Sequence, residues 1–322
     1  MSAVAQVRAL GGSRTVPYLV AVEARLAASL SGGLVAGAGA ETLAAGGKRL
    51  RPLLVLLSAP ADERESVELE VAGAAVELVH MATLVHDDVL DRAALRRGLP
   101  TVWARHGAEI ALATGDHLFA RAFGELAATG RVDAIAKLAQ TSLDLARGES
   151  LQAEQVRRAD TPIEAYLERC RLKTGRLFAV ACALGGIYGG LDEAAVAALE
   201  RIGDALGVAF QLADDILDCE GDPATMGKAA GTDVLDGTVT MPLLLAATRD
   251  CRVAAAIADS TLTEGGVPEV LARVRATGAI EDTRKELRRH ARVARAALTE
   301  VGDRCDVPSL TAIVQAATER EA

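Results

Sequence analysis

Residues 67–91 read VELEVAGAAVELVHMATLVHDDVLD. Leu69, Ala72, Val76, Val79 and Thr83 recur at three- or four-residue steps, the spacing of a buried helix face. The apolar stretch ends in three carboxylates, Asp87, Asp88 and Asp91, in the form DDxxD. The same form returns at Asp214, Asp215 and Asp218, again at the end of an apolar helical stretch. Helical periodicity also covers 108–127, 133–156, 163–188, 193–219, 240–248 and 281–299. Turn compositions fall between them, as RRGLP at 96–100, ADTP at 159–162 and EGDP at 220–223. No run of short alternating segments suggests a sheet. The expected fold is all-α, a single-domain helical bundle over 1–322, with 1–15 a flexible N-terminal extension.

Composition agrees. Of 322 residues, 50% are hydrophobic but only 2% aromatic, so the apolar half is largely Ala, Leu and Val. Ala and Leu are the strongest helix formers. The chain is too apolar for disorder. At a net charge of -9 it lacks the basic balance of a nonspecific nucleic-acid binder. The five cysteines form no C-x-x-C pair and are odd in number, which points to a reducing compartment. The N-terminus shows no signal-peptide pattern. The longest uncharged stretch, 177–191, is shorter than the ~20 residues of a membrane span and is broken by glycines. A cytoplasmic protein without a transmembrane segment is expected.

In a helix, positions i and i+4 share a face, about 6 Å apart. Asp87 and Asp91 therefore point one way, as do Asp214 and Asp218. Gathered carboxylates repel one another and resist desolvation. Mg²⁺ offsets both costs, held by one or two carboxylates plus substrate phosphates. One such cluster in an acidic chain reads as a solvated helix end, whereas two, each behind an apolar stretch, favour a metal-diphosphate site.

Cations accompany them. GGKRLRP at 46–52 brings Lys48, Arg49 and Arg51 together, Arg96-Arg97-Gly98 follows the first cluster, and Lys173-Thr174 and Lys228 stand elsewhere. Arg offers forked donors to phosphate and Lys a point charge. Arg157-Arg158 and Arg288-Arg289, with no acidic motif nearby, read as ordinary surface charge. His80, alone on an apolar helix, reads as a core histidine.

The chain resembles the trans-isoprenyl diphosphate synthases, or polyprenyl synthetases. The resemblance rests on GGKRLRP (46–52), ELVHMATLVHDDVLDRAALRRGLPT (77–101), GDHLFARAF (115–123), LKTGRLF (172–178) and FQLADDILDCEGDPATMGKAAGTDVLDG (210–237), in family order. It implies an all-α fold around a deep central cavity, a homodimer, and head-to-tail condensation of isopentenyl diphosphate with an allylic diphosphate. It also implies several Mg²⁺ ions, held by Asp87 and Asp91 and by Asp214 and Asp218, with Asp88 and Asp215 as supporting members. Arg96, Lys173, Thr174, Gln211 and Lys228 match positions that contact the allylic diphosphate. Lys48, Arg51, His80 and Arg97 match those that hold isopentenyl diphosphate, which raises His80 to a ligand contact. Relatives often carry Lys where Thr238 stands after Gly237, so one diphosphate contact is missing or weaker.

Side chains one turn before the first cluster floor the family's cavity. Here these are Ala82 and Thr83, with Val79 deeper, and no aromatic plug. A medium- or long-chain product is expected unless another helix supplies the floor, for which Phe119 and Phe123 are candidates. Alternatives are a geranylgeranyl diphosphate synthase, a class I terpene cyclase and a non-catalytic subunit of a heteromeric synthase.

Overall fold

The computed structural model describes residues 14–62, 66–220 and 230–319. Fifteen α-helices make up most of them. They are α1 (Thr15–Ser29), α2 (Gly33–Ala44), α3 (Leu50–Ser58), α4 (Val67–Leu90), α5 (Val102–Ala127), α6 (Val132–Gln155), α7 (Ile163–Cys170), α8 (Arg176–Tyr188), α9 (Glu193–Glu220), α10 (Thr232–Asp236), α11 (Met241–Ala247), α12 (Cys251–Ala258), α13 (Val267–Ala276), α14 (Ala279–Val301) and α15 (Val307–Thr318). The all-α expectation holds, and the periodic segments fall on α4 to α9, α11 and α14. Residues 1–13 lie outside the described residues, and Thr15 already opens α1, fully buried.

The described residues divide into two compact units. The first takes its described residues from Met1–Ser142, Leu177–Glu200 and Glu300–Ile313. Its axis is α4, whose first turn carries Glu68 and Glu70 at the positive end of the helix dipole. Leu69, Val76, Leu78, Val79 and Ala82 of α4 are all fully buried. By length and hydropathy α4 would also pass for a membrane span, but 72% of its most apolar window is buried in the fold. Thr101 caps α5 by accepting from the Ala104 N–H at 3.1 Å.

Between α4 and α5 lie two short strands, β1 (Leu95–Arg96) and β2 (Leu99–Pro100), paired antiparallel. The intervening Arg97 and Gly98 both have positive φ, 54° and 78°. That is the backbone of a type I′ hairpin. Two residues per strand leave no alternation to read, and the sequence showed this segment only as a break.

The second unit comprises Leu143–Arg176, Arg201–Thr299 and the described part of Val314–Ala322. Its core gathers Tyr166, Val208, Leu212, Ile216, Leu244, Leu271 and Leu287. Between α7 and α8 the chain makes a π turn over Arg171–Gly175, where the Arg176 N–H reaches back to the Arg171 carbonyl. Such π turns concentrate at functional sites. Two helices approach its backbone through glycine. A Cβ on Gly148 of α6 would lie 2.8 Å from the Lys173 nitrogen, and one on Gly207 of α9 would lie 2.7 Å from the Gly175 Cα.

Candidate active site

In the first unit, α4 ends at Leu90 and no basic residue occupies its last turn. Asp87, Asp88 and Asp91 thus crowd the negative end of the helix dipole, where carboxylates are unfavourable without a cation. Asp88 is buried, and Arg96 of β1 holds it through Nε at 2.8 Å and Nη2 at 2.7 Å. Asp87 is partly buried and Asp91 exposed. The spacing predicted three carboxylates; the fold turns one of them inward onto an arginine.

Beside this helix end lies an open cleft. It takes in His80, Arg96 and Arg97 of the expected anion-binding residues. Burial, followed by the charges of Arg51, Arg97, Arg96 and Arg49, holds the His80 imidazole well below its ordinary pKa. His80 therefore meets an anion as a neutral hydrogen-bonding group. Burial also pulls Arg51 down to about 10, and its guanidinium lies 4.8 Å over the Phe178 ring. Lys48 is exposed.

The cleft also contains Arg49, one of the GGKRLRP cations, and Glu77, to neither of which the sequence reading gave a site role. Arg49 is buried, with φ at 51°. It donates to Glu77 at 2.9 Å and to Glu23. Glu77 is itself buried on α4. A carboxylate three residues before His80 in an apolar stretch was the available signal. One guanidinium of the GGKRLRP trio is thus committed to holding the wall.

In the second unit, α9 also ends in acid, and none of its last-turn residues is basic. Asp214 is exposed, whereas Asp215 and Asp218 are each only 2% exposed. Asp218 Oδ2 accepts the Asp233 N–H at 3.1 Å, tying down the start of α10. Asp215 accepts the Tyr166 O–H and, at 3.0 Å, Gln211 Nε2. Burial pushes its carboxyl up to about 6, against the lowering effect of these hydrogen bonds. Gln211 Oε1 accepts the Thr174 hydroxyl at 3.0 Å. Lys173 meets Glu149 at 2.6 Å and Gln152 at 3.1 Å. Lys228 lies outside the described residues.

Arg157 corrects an expectation. It is no ordinary surface charge: at φ 59° its N–H donates to Gly237, while its guanidinium reaches the Leu235 and Asp259 carbonyls. It clamps the segment that holds Gly237 and Thr238. Arg288 conforms, paired with Glu281 on an exposed helix surface.

Ala82 and Val79 are fully buried on α4, and Thr83 is partly buried, its hydroxyl donating to the His80 carbonyl at 2.8 Å. Phe119 and Phe123 on α5 are partly buried; the Phe119 ring centroid lies 6.0 Å from that of His86. Among the described residues no three His, Cys, Asp or Glu side chains gather as a closed metal cage. A cation held by one or two carboxylates together with phosphate oxygens needs no such cage.

Known proteins are similar to this chain in sequence and fold. The polyprenyl synthetase family profile matches residues 34–274. The heptaprenyl diphosphate synthase component 2 of Geobacillus stearothermophilus is 42% identical over 82% of this chain and 83% of its own length. A decaprenyl diphosphate synthase from Rhodobacter capsulatus superposes with a TM-score of 0.89 at 33% identity, over 99% of this chain and 98% of its own. A polyprenyl synthase from Caulobacter crescentus, complexed with calcium and isoprenyl diphosphate, gives 0.88 at 33%, with the same coverage. The chain belongs to the polyprenyl synthetase family, with the isoprenoid synthase fold, and is a prenyltransferase of the trans-polyprenyl diphosphate synthase type.

Proposed function

We propose that the chain condenses isopentenyl diphosphate head-to-tail with an allylic diphosphate, using magnesium, to give a medium- or long-chain trans-polyprenyl diphosphate. The observation that carries this reading is the cleft in which a neutral His80 stands among arginines beside the Asp87–Asp91 helix end. Such a cleft offers an anion fixed positive charge and a hydrogen-bonding imidazole, as suits a substrate diphosphate.

The roles follow. Asp87, Asp91 and Asp214 are the metal-binding carboxylates, and Asp88, Asp215 and Asp218 support them. Bound magnesium supplies neutralising charge to the diphosphate as the allylic C–O bond ionises. Lys48, Arg51, His80 and Arg97 hold isopentenyl diphosphate so that its double bond meets the allylic carbon. Arg96, Lys173, Thr174, Gln211 and Lys228 serve the allylic diphosphate. The proton lost after bond formation goes to the departing diphosphate, so no side-chain base is needed. Exclusion of water protects the cation. Ala82, Thr83 and Val79 leave the growing chain its room, and the heptaprenyl and decaprenyl names of the relatives support a long product.

The chain works as a single polyprenyl synthetase domain, as a homodimer in the cytoplasm. One relative's name numbers it as a component, so turnover by the purified chain alone is the first readout. The test incubates that chain with isopentenyl diphosphate, several allylic primers and Mg²⁺, then sizes the products. Products of hexaprenyl length or beyond are expected. Mainly geranylgeranyl or shorter product overturns the length. Cyclic hydrocarbon from allylic diphosphate alone indicates a cyclase, and no turnover without a second chain indicates a subunit.

A further inference from the structure

Tyr166 belongs to no substrate-binding motif, yet it joins a continuous hydrogen-bond chain in the second unit. It is fully buried on α7 and donates its O–H to Asp215 Oδ2. The Arg169 guanidinium lies 5.1 Å over its ring, itself held by Gln155 at 3.0 Å and by the Val239 carbonyl. The phenol is thereby fixed in direction.

The chain has a polarity. Both Asp215 oxygens accept, one from Tyr166 and one from Gln211. A carboxylate only accepts, so Gln211 must turn its NH₂ toward it and its carbonyl away. That carbonyl takes the Thr174 proton. Thr174, in the π turn, is therefore left with its oxygen lone pairs outward and no proton to donate. The direction of the Thr174 hydroxyl is set three hydrogen bonds away.

We propose that Tyr166 is a positioning residue of the active site: it anchors Asp215, and through Asp215 and Gln211 it fixes the direction of the Thr174 hydroxyl. This rests on the prenyltransferase reading for its kinetic consequence, though not for the coupling itself. Without the phenol O–H, Asp215 can swing, Gln211 loses its fixed partner, and Thr174 presents either a proton or a lone pair.

Tyr166→Phe removes one oxygen and keeps the packed ring. In the condensation assay kcat should fall at least tenfold, with the KM for isopentenyl diphosphate within twofold of the parent and Tm within a few degrees. An unchanged kcat overturns the proposal, as does a joint loss of kcat, both KM values and Tm. A second measurement needs no turnover. Tyr166→Phe, Thr174→Val and the double variant are taken through urea unfolding. Tyr166 and Thr174 share no direct bond, so independent sites would give additive midpoint shifts. The chain predicts a double-variant shift clearly smaller than the sum, and strict additivity overturns it. If the parent shows no condensation, the functional reading fails while this cycle still decides the coupling.

Discussion

Arg97 occupies a left-handed backbone conformation at the tip of a two-residue turn, where glycine is the usual occupant. That conformation costs a non-glycine residue about 1–2 kcal/mol. Strain of this kind persists where function requires the side chain. Arg97→Gly should leave Tm unchanged or raise it by a few degrees, while the KM for isopentenyl diphosphate rises at least tenfold. A lower Tm with an unchanged KM would show the arginine to be structural. Residue types and spacings told where carboxylates and cations lie, but not which of each group works in the open. Asp88 turns onto Arg96, Asp215 onto Tyr166, and Arg49 onto two glutamates, 26 and 28 residues away in sequence. Those partners come from other elements, so spacing within one helix cannot reveal them.

The long helices were legible because each buries a face with a 3.6-residue period. Among the helices outside the periodic segments, α1, α2 and α15 are dense in small apolar residues, so no polar face marks their period. The product-length question also belongs to this scale, since α4 carries both the carboxylates and the small residues one turn earlier. Ala82 is fully buried there, so a larger side chain must displace whatever occupies the space beside it. Ala82→Phe should shift the product toward shorter chains, read by chromatography at matched conversion. An identical distribution would remove Ala82 from the growing chain's path.

For the whole molecule, an acidic chain that binds anions is explained by segregation of charge. The net -9 includes six carboxylates in two clusters at helix ends, while arginines gather in the cleft. The same segregation makes stability depend on pH. Burial and four arginines keep His80 neutral in the folded chain, while the unfolded imidazole takes a proton near pH 6.5. Below that value the unfolded state binds the extra proton, so stability falls as pH falls, by at most about 1.4 kcal/mol per pH unit for one such group. His290, also lowered by burial and by Arg289, adds in the same direction. Between pH 7.5 and 5.5, His80→Gln should lose less stability in urea than the parent. Equal losses would mean that His80 protonates as readily folded as unfolded.

Glu77, which grips Arg49 inside the finished fold, stands almost at the midpoint of Val67–Leu90. As a helix that segment is ~36 Å long and apolar enough to pass for a bilayer anchor by length and composition. A charged residue at the centre of a membrane helix costs a few kcal/mol at insertion. The carboxylate that grips Arg49 in the arginine-lined cleft therefore also sets this segment against insertion into a bilayer.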